Sequence, residues 1–185
     1  MLEDLSAHIL DVAQNSVAAG AKRVDVTVRR GVVANFFDFQ IADDGCGMDE
    51  ARARAALSPF CTSRTTRRVG MGLPFLKQNA ELCGGEFRIS SAMGRGTRVF
   101  ASFALDNIDV PPTGDLAGAF LTLLIDAPGV RWIFRYESSG EPFTLDSEEA
   151  AEAIDGLESL KIPVVALALK DMIEAGVREA DRPKP

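Results

Sequence analysis

Leu5, Ile9 and Val12, with Ser16 completing the row, recur at the spacing of one helix face. The pattern predicts a helix over 2–19 ended by Gly20, a residue suited to the left-handed turn beyond a helix end. His8, Asp11 and Asn15 form a second stripe, about 100° round the same helix. One face therefore packs, while its neighbour presents three groups able to do polar chemistry. Val24, Val26 and Val28 alternate with polar residues as in a half-buried strand, and after a turn at Gly31 a second strand is expected over 36–42. Residues 49–57 read as a short helix, and 58–69 as a polar, weakly patterned loop. Pro74 stands where the first turn of a helix tolerates it, and that helix runs to Cys83 before Gly84-Gly85. Phe87, Ile89 and Ser91, then Val99, Ala101, Phe103 and Leu105, flank Gly94-Arg95-Gly96 and predict a hairpin.

This order implies an α+β fold, a two-layer sandwich with helices on one face of a mixed sheet. Pro111-Pro112 marks a boundary, giving a first domain over 1–110 and a small α/β extension over 111–185. Within the extension a helix is expected near 114–126, strands at 130–136 and 142–145, and helices near 147–158 and 163–180. The apolar run from Leu116 to Ile125 and the alternating Trp132, Phe134 and Tyr136 suit either a partner-docking or homodimer surface, or packing onto the first domain.

Composition narrows the setting. The 185 residues carry a net charge of −7, which argues against a nucleic-acid partner, since phosphate binding needs a basic face. No apolar run is long enough to span a bilayer, and the acidic start, Met1-Leu2-Glu3-Asp4, is unlike a secretory signal. Cys46, Cys61 and Cys83 lack paired spacing, so neither a disulfide framework nor a zinc site is indicated, and small apolar packing is the expected role. A cytoplasmic protein is expected.

The chemistry concentrates in Asp43-Asp44-Gly45-Cys46-Gly47-Met48, preceded by Asp11-Val12-Ala13-Gln14-Asn15 and followed by Gly70-Met71-Gly72-Leu73. An acid at a strand end followed by two glycines one residue apart lets backbone approach a flat ligand closely. With Thr97 after Gly94-Arg95-Gly96, the pattern resembles the GHKL superfamily of ATP-binding domains. Gyrase-type topoisomerases, heat-shock chaperones, histidine kinases and mismatch-repair ATPases share that domain. The match covers about the first 108 residues.

The resemblance implies ATP and Mg²⁺ as ligands and assigns roles residue by residue. Asn15 would bring an amide oxygen to Mg²⁺, a hard cation that takes few protein oxygens. Asp11 stands where hydrolysing members carry a glutamate as general base; being shorter by one methylene, it puts efficient hydrolysis in doubt. Asp43 would accept from the exocyclic amine of adenine, where guanine presents a carbonyl oxygen. Gly45 and Gly47 would lie under the purine with Met48 on its face, and Asp44 would contact a water or cap the turn. Gly70, Met71, Gly72 and Leu73 would close the ATP lid, with backbone N–H groups at a helix start facing the phosphates. Arg64, Arg67 and Arg68 would neutralise triphosphate charge, and the Thr97 hydroxyl would support Asp43 or its water. The phosphoacceptor of histidine kinases lies in a separate helical domain, for which there is no room before Asn15. His8 is therefore expected to be a structural or surface histidine, with lining the phosphate mouth as the alternative.

Three functions stay open on this reading. One is a nucleotide-dependent regulatory or accessory protein with slow hydrolysis and a protein partner. Another is an anti-sigma-type protein serine kinase. The third is a non-hydrolysing ATP-binding subunit of a redox complex such as a hydrogenase.

Overall fold

The computed structural model describes residues 4–58 and 72–183. The first helix, α1 (Leu5–Ala18), starts where the Asp4 carboxylate accepts from the Ala7 N–H, an N-cap bond. It ends in a Schellman turn: the Gly20 N–H reaches the Val17 carbonyl and the Ala21 N–H reaches the Ser16 carbonyl, with Gly20 at φ +76°. Leu5, Ile9, Val12, Ala13 and Ser16 are buried.

Two long strands follow, β1 (Arg23–Gly31) and β2 (Phe36–Asp43), paired antiparallel with Val24 opposite Asp43. After α2 (Glu50–Ala56) and α3 (Gly72–Leu82), β3 (Phe87–Ser91) and β4 (Thr97–Ala104) form the hairpin, and β4 lies antiparallel to β2. The extension contributes α4 (Leu116–Asp126), β5 (Arg131–Glu137), β6 (Phe143–Asp146), α5 (Ser147–Ala153), a 3₁₀ turn over Leu157–Lys161, and α6 (Pro163–Ala180).

All strands join one six-stranded sheet in the order β3-β4-β2-β1-β5-β6. β5 runs parallel to β1 and every other neighbouring pair is antiparallel. The period of two sends Val24, Val26 and Val28, Phe37, Phe39 and Ile41, and Trp132, Phe134 and Tyr136 to one face, where the helices cover them. The other face is polar and laced with cross-strand pairs: Arg29–Asp38 at 2.8 Å, Arg131–Asp146 at 2.6 Å, and the Arg88 guanidinium 4.4 Å from the Phe100 ring centre. The fold is thus the α+β sandwich expected, helices on one face of a mixed sheet.

Of the two roles open to the extension, packing onto the first part of the chain is what the structure displays. β5 continues the sheet beside β1, α4 packs on α1 and α6, and the buried cluster is continuous from Leu5 to Ala180. Trp132 is fully buried with its indole N–H donated to the Ala127 carbonyl at 3.1 Å. The helix expected over 147–158 stops at Ala153, because Asp155 and Gly156 adopt φ +58° and +94° and turn the chain into the 3₁₀ segment. Among the described residues no helix is long and apolar enough to cross a membrane.

Candidate functional site

Asp43 is the last residue of β2, and its carboxylate is the hub of the site. Oδ1 accepts from the Gly45 N–H at 2.9 Å and the Thr97 N–H at 3.1 Å, and Oδ2 accepts from the Ser16 hydroxyl at 2.9 Å. Three elements thus fix one side chain: α1, the turn after β2, and the start of β4. The turn is itself clasped on both sides. The Cys46 N–H donates to the Ala19 carbonyl at the end of α1 (3.0 Å), and the Gly94 N–H donates to the Cys46 carbonyl (2.8 Å). The Met48 N–H reaches the Ser91 hydroxyl at 2.8 Å, and that hydroxyl also meets the Gly96 carbonyl and the Thr97 hydroxyl.

The glycines serve this clasp. A Cβ on Gly47, at φ +63°, would stand 1.9 Å from the Ala92 carbonyl oxygen, and one on Gly96, at φ +80°, would stand 1.8 Å from the Asp43 carbonyl oxygen. One on Gly45 would press on Ala19. The clearance read from the sequence as room for a flat ligand is thus occupied by the protein's own backbone, two glycine turns interlocked edge to edge. Thr97 reaches Asp43 through its main-chain N–H, while its hydroxyl bonds Ser91. Asp44 caps the turn: its carboxylate accepts from the Lys22 and Arg23 N–H groups at 2.7 and 2.9 Å, and the Arg23 N–H first of all holds its pKa below the ordinary carboxylate range.

The polar face of α1 is held differently. Asp11 and Asn15 lie one turn apart, both half-buried, and neither side chain has a hydrogen-bond partner or ion pair among the described residues. Burial raises the Asp11 pKa above its ordinary value. Asp11 also meets the start of α3: a Cβ on Gly72 would stand 1.7 Å from Asp11 Oδ2, so only glycine lets that carboxylate lie against the first turn of α3. Leu73, next along, packs against the core. Met48 is half-buried beside the clasped turn. His8, on the same helix face, is buried, stacked on Phe75 of α3 and 3.1 Å from the Asn79 amide nitrogen through Nε2. Desolvation lowers its pKa to about 4, so it is a neutral link between α1 and α3 at ordinary pH.

A family model described as histidine kinase-, DNA gyrase B- and HSP90-like ATPase matches residues 2–107. The chain belongs to this family. A putative sensor protein of Shewanella frigidimarina is 31% identical over 109 residues, covering 58% of this chain and 17% of its own length. The autoinducer 2 sensor kinase/phosphatase LuxQ of Vibrio cholerae is 25% identical over 179 residues, covering 89% of this chain and 21% of LuxQ. This chain therefore spans only about a fifth, or less, of the curated relatives it matches. Among solved structures, the Aquifex aeolicus MutL ATPase domain complexed with ADP superimposes with a TM-score of 0.51 at 13% identity, covering 85% of this chain and 69% of that one. The N-terminal domain of a DNA repair protein gives 0.55 at 14%, covering 85% and 58%. These likenesses show the fold.

Histidine kinase-, gyrase- and HSP90-like ATPase domains bind ATP, typically with Mg²⁺, and the donor set of this one can be tested against both. The Asn15 amide oxygen, unpartnered among the described residues, and a carboxylate one turn away are hard oxygen donors of the kind Mg²⁺ takes. Among the described residues no three His, Cys, Asp or Glu side chains cluster as a metal site. Arg64, Arg67, Arg68, Gly70 and Met71, expected at the phosphates, lie outside the described residues, as does Cys61. Cys46 is exposed in the clasped turn, contrary to the packing role expected of it, because its main chain rather than its side chain faces the neighbouring elements. Cys83 is buried as expected, and burial raises its thiol pKa.

Two site residues escaped the sequence reading. Ser16 stands in the packing stripe and Ser91 in a strand alternation, yet the Ser16 hydroxyl binds Asp43 and the Ser91 hydroxyl ties Met48 to Gly96 and Thr97. The available signal was a polar residue in an otherwise apolar row, since a hydroxyl at a core position needs a partner there.

Proposed function

We propose that the chain binds Mg²⁺–ATP between α1, the clasped turn and the start of α3, and that it acts as a nucleotide-dependent regulatory or accessory protein with slow hydrolysis. The supporting observation is the state of Asp43. Three of its roughly four lone-pair positions are filled by Ser16, Gly45 and Thr97, which leaves one acceptor on Oδ2 of a side chain already held in place. An acceptor fixed in this way pairs with the amine of adenine and opposes the carbonyl of guanine. Because the protein holds it beforehand, little ordering remains to be done on binding.

At the other end, Asn15 would hold Mg²⁺, which when bound supplies charge neutralisation for the phosphates. Asp11 would orient water toward the terminal phosphate. Burial makes its carboxylate more basic, the direction a general base needs. Its short side chain sets it back from the reach of a glutamate, and slow turnover follows. The sensor-protein relatives support a regulatory setting.

A kinase reading, with the phosphoryl group passed to a protein partner, draws on the similarity to a sensor kinase/phosphatase along 89% of this chain. Transfer of labelled γ-phosphate to a co-purified protein would favour it over release as inorganic phosphate. The site itself is tested by Asn15→Ala. The amide has no described protein partner, so the variant should fold with stability within about 0.5 kcal/mol of wild type. Titration with ATP should then give the same affinity with Mg²⁺ as with chelator, whereas wild type binds more tightly with Mg²⁺. A Mg²⁺ response unchanged by the substitution would remove Asn15 from the site.

A further inference from the structure

A cavity of about 390 Å³ opens at the far end of the sheet from Asp43. Its walls come from Arg30 near the end of β1, Tyr136 of β5, the turn over 113–115, the start of α4, and the last turns of α6. Val24, opposite Asp43, and Arg30 are separated by roughly 20 Å of strand at the usual rise, so this cavity is distinct from the nucleotide site.

The charges in it are unevenly satisfied. Lys170 contacts Asp115 at 2.7 Å and Glu174 at 3.4 Å, so both acids have a cation of their own. Asp181 accepts from the Tyr136 hydroxyl at 2.9 Å and meets Arg30 Nη1 at 3.3 Å. Arg30 also lies against the Tyr136 hydroxyl, yet its Nε is enclosed with no acceptor among the described residues, an under-satisfied state for a five-donor group. Arg178, about one turn before Asp181 along α6, is exposed and has neither an ion pair nor a hydrogen bond among the described residues. Every carboxylate lining the cavity is thus paired, while one guanidinium keeps an unsatisfied N–H and another has no partner among the described residues. Leu116, Ala117 and Val177 add an apolar side.

We infer that this cavity is a second ligand site, for a small organic anion whose carboxylate or phosphate group bridges Arg30 and Arg178 while its apolar part rests on Leu116, Ala117 and Val177. Guanidinium forks suit both groups because each offers two coplanar oxygens. The volume is at the lower end of small-molecule sites. The turn that walls it also clasps the nucleotide helix: the Leu5 and Ser6 N–H groups donate to the Pro112 and Thr113 carbonyls at 2.9 and 3.0 Å. An anion here therefore sits against the first turn of the helix that carries Asp11, Asn15 and Ser16 further along.

The test is a titration of the full chain with inorganic phosphate and, separately, with succinate, ionic strength being held constant with chloride. Binding is followed through the side-chain Nε–H resonances of Arg30 and Arg178 in proton–nitrogen NMR. At least one of the two anions should shift both resonances saturably, and whichever binds tighter tells a phosphate-bearing from a carboxylate-bearing ligand. Arg178→Gln, an exposed change that leaves the core intact, should weaken that binding about tenfold or more through loss of a charge-assisted bond. ATP affinity of the same variant should stay at the wild-type value. Shifts that follow chloride as well as they follow phosphate and succinate would overturn the proposal. So would an Arg178→Gln protein that titrates like wild type.

Discussion

The two ends of the candidate site are built on opposite plans. At the β2 end, Asp43 and its turn are held by α1, by the 94–97 turn and by their own backbone, and the glycines are consumed in the interlock. At the α1 end, Asp11 and Asn15 are half-buried with no described protein partner for either side chain, and the carboxylate is lifted by burial. The first end is finished before ligand arrives. The second keeps oxygen atoms free at a cost in stability, which is the state of groups reserved for a cation and phosphates. On the proposed reading, the rigid end would choose the nucleotide and the end with free oxygens would act on it.

Substitutions can break that contrast, and they differ in size. Gly47→Ala should do the most damage to the fold, because it combines a positive φ with a Cβ driven into the Ala92 carbonyl. A loss of about 2–4 kcal/mol in chemical denaturation is expected, and a loss under about 0.5 kcal/mol would show that the interlock is loose. Ser16→Ala removes one of three bonds to Asp43 and should weaken ATP binding about fivefold to tenfold, with a stability loss of about 1 kcal/mol. Stability lost with ATP affinity unchanged would place Ser16 in the fold alone.

The smallest effect is expected from Asp11→Asn, and it depends on pH. The folded-state pKa of Asp11 is raised above its unfolded value, so the folded chain holds that proton more tightly. The corresponding stability is fully present below the ordinary carboxylate range near pH 4 and is lost as pH rises through the raised value. Asp11→Asn carries no such loss. Its stability relative to wild type should therefore rise from pH 4 to pH 7. A parallel pair of stability curves would mean that the Asp11 carboxylate is well solvated.

Much of this molecule was legible before its structure. The helical stripe, the alternating valines and the hairpin around Gly94-Arg95-Gly96 are local patterns, and local patterns fix element type and buried face. What stayed hidden was non-local. Nothing in the sequence around Trp132, Phe134 and Tyr136 says that β5 lies parallel beside β1, since that pairing is decided by the packing of α4 on α1 and of α6 on α4. The same applies within the site. Asp43 stands out by its position before two glycines, but its partners Ser16 and Thr97 come from 27 residues before it and 54 after it. Glycine has two uses, close approach to a ligand or to backbone, and only the positions of Ala92 and Ala19 decide between them at Gly47 and Gly45.

Asp43 is the proposed reader of the base, and calorimetric titration of wild type and Asp43→Asn with ATP and with GTP tests that role most directly. An asparagine can keep the Gly45 and Thr97 bonds through its oxygen, and its nitrogen can donate to the Ser16 hydroxyl, so the variant should fold. It would then point a donor at the amine of adenine, and ATP affinity should fall about 100-fold, while GTP gains relative to ATP. An Asp43→Asn protein that binds ATP with wild-type affinity, or a wild type that binds GTP as well as ATP, would contradict the account.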